Sequence, residues 1–472
     1  MAGYAAGQVV RLGGNLVLTR LLFPEVFGQM ALVTIFIQGL AMFSDVGTGP
    51  AIVQSVRGDD PRFLNTAWTI QCGRGVLLWL ASWVIAAPVA RFYAQPLLTW
   101  LIPAAALSAI LGGFEATAVH SLQRHLQLGR LTLVELAGQV VGTIGTVVLA
   151  ALDRWQFGAN HPGAVWAIIG GGLLASATRL VLSHTALPGI RNRFLLDRES
   201  MHQLFSFGRW IFVSTLLTFL AAQSDRLIFG KLIPLDLFGV YGIAVMLAAL
   251  PTEAVLKLGG SVVFPAYSRL AQRPDFRRLL DRVRLPLLVG SGLIVSGLLA
   301  GGPFLIRILY DRRYLEAGWI LQFLSAMAWF KILECTNGQA LLAKGHVRWV
   351  AAGSGAKLAG LVVLVPLGFH LSGFAGALGG LVLSEVVKYL TSAAGMAASG
   401  LSGLARDAAF TAAVALVSWV GILSGRVLGD ALQSSLAGLV GAGLVALCAW
   451  AGIAVWTGLL RRPAPLEAGG VA

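Results

Sequence analysis

Charge is scarce in this sequence. Only 12% of residues are Asp, Glu, Lys or Arg, while 57% are hydrophobic, against about 25% charged and 45–50% apolar in soluble domains. That balance excludes an ordinary water-soluble globule. Cysteine is scarcer still: Cys72, Cys335 and Cys448 lie far apart inside apolar runs, which excludes a disulfide framework and a CxxC metal site. The seven histidines form no HExxH pair, and His120 and His125 are five residues apart, the wrong helical spacing to share one metal. No G-x-x-x-x-G-K-[ST] loop occurs, so hydrolysis of ATP by that route is excluded. The polar stretches are too short to carry the catalytic groups of a membrane glycosyltransferase or polymerase. The expectation is a protein without cofactor or metal that is not an enzyme.

What is present is apolar sequence in lengths that suit a bilayer, where a spanning helix needs about 20 mostly apolar residues. Irregular backbone exposed to lipid finds no hydrogen-bonding partners, so these runs are read as helices. Fourteen spans are predicted, over residues 4–22, 27–47, 67–89, 97–119, 131–152, 163–187, 207–229, 237–259, 284–306, 317–340, 349–370, 373–396, 407–425 and 433–458. The fold class expected is an all-α integral membrane protein. Met1 leads into a weakly amphipathic run rather than a cleavable signal, so the first helix is expected to stay as an anchor.

The formal charge of +14 sits in short loops between spans, which reads as topology-setting charge rather than a nucleic-acid surface. One set of alternate loops holds nineteen Lys and Arg and the other eight, placing the first set and both termini in the cytoplasm. The segment "TRLLFPEVFG" after span 1 then faces outward, as does "GKLIPLDLFG" after span 7, 211 residues later. Arg20 aligns with Lys231, Leu21 with Leu232, Glu25 with Asp236, Phe27 with Phe238 and Gly28 with Gly239. Two copies six spans apart indicate a parallel repeat about an axis along the membrane normal; the alternative is that this pattern is simply what a tight outer hairpin looks like. The repeat divides the chain into an N-lobe at 1–187 (spans 1–6), a cytoplasmic linker at 188–206, a C-lobe at 207–396 (spans 7–12) and an added helix pair with a short cytoplasmic tail at 397–472.

"LTRLLFPEVFGQMALVTIFIQGLAMFSDVGTGPAIVQ", "PRFLNTAWTIQCGRG" and "SDRLIFGKLIPLDLFGVYGIA" together resemble the polysaccharide transporter branch of the multidrug, oligosaccharidyl-lipid and polysaccharide exporter superfamily. The resemblance implies two pseudo-symmetric six-helix lobes around a central cavity, plus the C-terminal pair. It also implies a flippase that carries an undecaprenyl-diphosphate-linked oligosaccharide across the cytoplasmic membrane by alternating access, for cell-surface polysaccharide synthesis. The partners implied are the lipid-linked oligosaccharide, membrane lipids, and a polysaccharide polymerase with its chain-length machinery. The alternatives are a multidrug-type secondary antiporter or a peptidoglycan-precursor flippase of the same superfamily.

Ionisable groups inside spans are costly and are functional candidates by default. Arg11 in span 1 and Arg74 in span 3 have no charged neighbour at helical spacing, and guanidiniums suit a pyrophosphate because their planar fork binds phosphate oxygens bidentately. With Asp45 and Arg226 they form the head-group candidates. Asp225 points to a different helix face from Arg226 and is a candidate for ion coupling or inter-lobe pairing, together with Glu253 and Lys257. Glu253–Lys257, Lys331–Glu334 and Glu385–Lys388 are spaced to neutralise one another on single helix faces. Gly28 and Gly239 are the expected hinges, as glycines at equal depth in each repeat.

Overall fold

The computed structural model describes residues 2–43, 47–158, 161–258, 267 and 276–457. A helix is found at each of the fourteen predicted segments. Among the described residues, nine helices are long and apolar enough to cross a membrane, or ten if one bent pair counts as a single span. The protein is therefore a multi-pass membrane protein. It forms two compact units, Met1–Val240 and Tyr241–Ala472.

The first unit contains α1 (Ala2–Leu21), α2 (Pro24–Phe43), the short α3 (Thr48–Gln54), α4 (Pro61–Phe92), α5 (Leu98–Gly113), α6 (Ala118–Arg124), α7 (Leu128–Phe157), α8 (Val165–Thr185), α9 (Arg198–Leu232) and the start of α10 (Leu235–Leu258). Small residues let the helices approach closely, as in many membrane bundles; Gly142 of α7 lies against Ala175 and Gly171 of α8. Between α5 and α6 the span bends by 62°, which frees backbone groups that lipid cannot satisfy. Neighbouring side chains satisfy them instead. Trp68 and His184 bond the carbonyl of Phe114, Ser183 Oγ accepts from the amide of Ala116 at 3.0 Å, and Asn192 Oδ1 accepts from that of Thr117 at 3.2 Å.

Asn192 belongs to the segment expected as a linker. Its second half, from Arg198, is already the start of α9. The preceding residues run extended along the end of α4, where Asn65, Thr69 and Thr66 accept hydrogen bonds from the amides of Arg193, Leu195 and Asp197 at 2.8, 3.0 and 3.0 Å. The strap ends in a charged cluster: Arg57 bonds Asp60 at 2.8 Å and pairs with Glu199 at 3.2 Å, while Asp59 holds Arg124 and His125 at 3.1 and 3.0 Å. The His125 hydrogen bond holds the Asp59 carboxyl below its usual range, Arg57 does the same for Asp60, and Ser200 for Asp197. A carboxylate with a depressed pKa stabilises the fold above its unfolded value and loses that contribution as pH falls through the folded one. Amide exchange at residues 193–197, corrected for its intrinsic pH dependence, is expected to accelerate as pH drops through that acid range. Unchanged protection there would show that the cluster does not hold the strap.

The second unit continues α10 and adds α11 (Phe276–Leu309), α12 (Ala317–Ala343), α13 (Val347–Ala398), α14 (Leu404–Ala431) and α15 (Ser435–Trp456). At 52 residues, α13 would be about 78 Å long if straight, far beyond a bilayer core of about 30 Å. It breaks at Ser372 and Gly373, where Gly373 has φ 61°. Its two arms fold back in constant register, bringing Gly368 onto Gly376, Gly380 onto Leu364, and Gly395 onto Trp349. These are the two predicted spans 349–370 and 373–396. The C-terminal pair α14–α15 is built into the core of the unit: Trp450 donates to Ser296 Oγ and Trp329 to Thr411 Oγ1, both at 2.9 Å.

Candidate functional site

The repeated hairpin is reproduced position by position. Helix α1 ends at Leu21 and α9 at Leu232, and α2 begins at Pro24 and α10 at Leu235, all at the 211-residue offset read from the sequence. Leu22 and Ile233 are buried, Glu25 and Asp236 exposed, and Gly28 and Gly239 buried. The two copies also touch. A Cβ added at Gly28 would fall on the carbonyl oxygen of Leu235, and one at Gly239 on that of Pro24. Leu235 is the counterpart of Pro24, so the contact is reciprocal, as in a two-fold interface. Neither glycine is among those with positive φ; what these positions use is the missing Cβ. Around them, Arg154 Nη1 donates to the carbonyl of Arg20 at 3.0 Å. Lys231 donates to the carbonyl of Phe92 at the end of α4 and lies 5.0 Å above the Phe92 ring.

Deeper in the first unit, α2 carries a polar chain through apolar surroundings. Gln223 of α9 donates to Gln38 Oε1 at 3.0 Å, and Arg226 donates to Gln223 Oε1 at 3.4 Å. One helical turn along α2, Arg74 of α4 donates to the carbonyl of Ala41 at 2.5 Å. That carbonyl lies in the last turn of α2, where carbonyls lack intrahelical partners and a cation is favoured. Arg74 thus meets α2 directly and Arg226 is linked to it only through Gln223; both are half-buried. Asp225 is half-buried on α9.

Not every candidate joins them. Arg11 is exposed on α1, a helix packed along α7 through Gly3, Gly7 and Gly14. Asp45 lies outside the described residues. Glu253 is half-buried on α10, in the second unit, and the side chain of Lys257 lies outside the described residues.

The second unit corrects the local neutralisation expected on single helix faces. Lys388 reaches across to Glu334 of α12 at 3.0 Å, and Glu385 pairs with Lys357 of the opposite α13 arm at 2.6 Å. Glu385 is fully buried and neither of its oxygens has a directed hydrogen bond, so the Lys357 contact is ionic in character. Beside these pairs, Arg284 and Asp407 form a two-point contact at 2.9 and 3.0 Å, with side chains only 3% and 2% exposed. Tyr389 donates to Asp407 Oδ2 at 3.0 Å, and Arg284 Nε donates to Thr336 Oγ1 at 2.9 Å. In the sequence Arg284 is one of the nineteen basic residues assigned to cytoplasmic loops, close behind Arg277, Arg278 and Arg282. Lys357, alone inside an apolar run, was a visible signal that sequence reasoning passed over.

A family model described as "Polysaccharide biosynthesis protein" matches residues 17–317. The teichuronic acid biosynthesis protein TuaB of Bacillus subtilis is 25% identical over 304 residues, 64% of this chain and 61% of that protein. The succinoglycan biosynthesis transport protein ExoT of Rhizobium meliloti is 24% identical over 255 residues, 54% of this chain and 49% of that one. The matches thus span about half to three-fifths of the length of these relatives. Among solved structures, the lipid II flippase MurJ in an inward closed conformation superposes with a TM-score of 0.73 over 98% of this chain and 99% of its own, at 12% identity. That likeness establishes the fold.

Proposed function

The chain belongs to the polysaccharide biosynthesis protein family, and on that premise we propose that it is a flippase for an undecaprenyl-diphosphate-linked oligosaccharide. It moves the head group from the cytoplasmic to the outer leaflet of the cytoplasmic membrane by alternating access, with both termini in the cytoplasm. The observation that supports this reading is that Arg74 of α4 bonds the last-turn carbonyl of Ala41 on α2, while Arg226 of α9 bonds Gln223, which in turn bonds Gln38 of α2; guanidiniums suit a diphosphate because their planar fork binds phosphate oxygens bidentately. Arg11 and Asp45 complete the proposed head-group set. Asp225, Glu253 and Lys257 are the groups proposed for ion coupling or pairing between lobes. Gly28 and Gly239 are proposed as the pivot, acting through their mutual contact. Delivered repeat units would pass to a polysaccharide polymerase and its chain-length machinery.

The test is reconstitution of the full-length protein in liposomes with lipid-linked oligosaccharide, reading head-group accessibility from one side. Arg74→Ala is expected to slow translocation by about 10- to 100-fold, since a hydrogen bond to a charged group contributes roughly 1.5–3 kcal/mol. Arg74→Lys should recover part of the rate. Absence of translocation by the unaltered protein would sink the function, whereas a normal rate for Arg74→Ala would remove only the site. A lipid-linked peptidoglycan precursor transported equally well would move the assignment to that head group.

A further inference from the structure

The extended strap before α9 does more than connect helices. Its alternate amides, at Arg193, Leu195 and Asp197, are tied to α4, and Asn192 fastens its start by donating to Thr117 Oγ1 at 2.8 Å. Asp197 caps α9 through the amide of Ser200 at 2.9 Å. A segment held this firmly would be expected to turn its apolar side chains inward. Instead Phe194 is 67% exposed and Leu196 62%, with Leu195 at 40%, although the Phe194 ring still rests 4.8 Å from that of Trp68. Arg191, Arg193 and Arg198 flank this triplet; all are exposed, and none forms an ion pair with a carboxylate among the described residues. The nearby acids are already engaged, Asp60 and Glu199 by Arg57, and Asp59 by Arg124 and His125.

We propose that residues 190–198 form a docking site for anionic phospholipid headgroups, with Phe194, Leu195 and Leu196 inserted just below them. The chemistry is that of a two-signal membrane contact, in which apolar side chains enter the acyl boundary and basic ones hold the phosphates above it. The level is right. The strap lies against Asn65, Thr66 and Thr69, in the first turns of the apolar helix α4, where that helix enters the bilayer. By the distribution of Lys and Arg this is the cytoplasmic side, whose leaflet surface is negatively charged. Because the strap joins α8 to α9 and is tied to α4, lipid bound here holds the ends of these helices at a fixed depth. The site is independent of which molecule the protein transports.

The test uses the full-length protein in nanodiscs of phosphatidylcholine, with and without phosphatidylglycerol. An environment-sensitive fluorophore is placed on Leu196→Cys, with Cys448→Ser to remove the exposed native thiol while Cys72 and Cys335 stay buried. Phosphatidylglycerol should shift the emission to the blue and protect the label from aqueous iodide, and added salt should reverse both changes. The variant Arg191→Gln, Arg193→Gln, Arg198→Gln should show neither response. Identical emission in the two lipid mixtures would overturn the proposal and leave the patch to a protein partner. Should the triple variant fail to fold, the salt titration decides, because a lipid response insensitive to salt also overturns it.

Discussion

Gly28→Val and Gly239→Val should each destabilise the protein by about 1–3 kcal/mol, the range for forcing atoms into a filled site. The opposing effect is known in sign and size: in a helix, replacing glycine by alanine stabilises by about 1 kcal/mol through backbone entropy. Neither position has a positive φ that would penalise a side chain, so local conformation favours the substitution. The contact opposes it. At each glycine the new Cβ meets a backbone carbonyl of the other hairpin, and a carbonyl in a first helical turn cannot swing aside as a side chain can. Alanine should therefore destabilise as well, by less than valine. Gly73 is the control, since a Cβ there meets nothing within 4 Å, and Gly73→Ala should be neutral or stabilising.

Because one substitution already separates the hairpins, the second should cost less than the first. Thermal unfolding in detergent of both single variants and the double variant should show a coupling of about 0.5–3 kcal/mol. Additive effects, or alanine variants as stable as the parent, would mean that the two turns do not press on each other. The double alanine variant also examines the proposed pivot, which an unchanged transport rate would eliminate.

The hairpin repeat was legible because each of its positions has a separate physical task. A buried aliphatic, an exposed acid and a glycine at backbone contact recur in both copies, and each leaves its residue type in the sequence. The apolar segments were legible for a similar reason, since a bilayer demands uninterrupted runs of a known length. Which charges meet was less legible. One sequence offers only its own i,i+3 and i,i+4 neighbours, so Lys388 appeared to face Glu385, whereas Glu334 on another helix is its partner. Gln38 and Gln223, joined by a hydrogen bond, are 185 residues apart, and neutral glutamines in apolar runs carry no sign that would have paired them. The strap resembled a loop because three of its four ties are side-chain oxygens on α4 accepting from its backbone, a pattern without residue-type periodicity.

Removing the Asp407 carboxylate should produce the larger loss of stability. Asp407→Ala leaves the Arg284 guanidinium inside the second unit with Thr336 as its one remaining polar contact described above, and an uncompensated buried charge costs about 3–5 kcal/mol. Asp407→Asn keeps an acceptor for Arg284 and Tyr389 but no negative charge, so it should fall between the parent and alanine. Tyr389→Phe removes one hydrogen bond to a charged group, worth roughly 1.5–3 kcal/mol. The paired substitution Arg284→Met with Asp407→Leu separates the cost of burying the ions from the benefit of joining them. Desolvating two charges offsets most of their attraction, so apolar replacement of a buried pair is often neutral or stabilising. The double variant should therefore recover much of what Asp407→Ala loses, as read by thermal unfolding in detergent. If Asp407→Ala instead unfolds with the parent, Arg284 must reach water or another acid, and the knot joining α11, α12, α13 and α14 does not set the stability of this unit. If both the single and the double variants are severely destabilised, the pair is worth more than its desolvation cost, and the hydroxyls of Tyr389 and Thr336 are what tip that balance, because they satisfy the donors and lone pairs that an isolated pair leaves open.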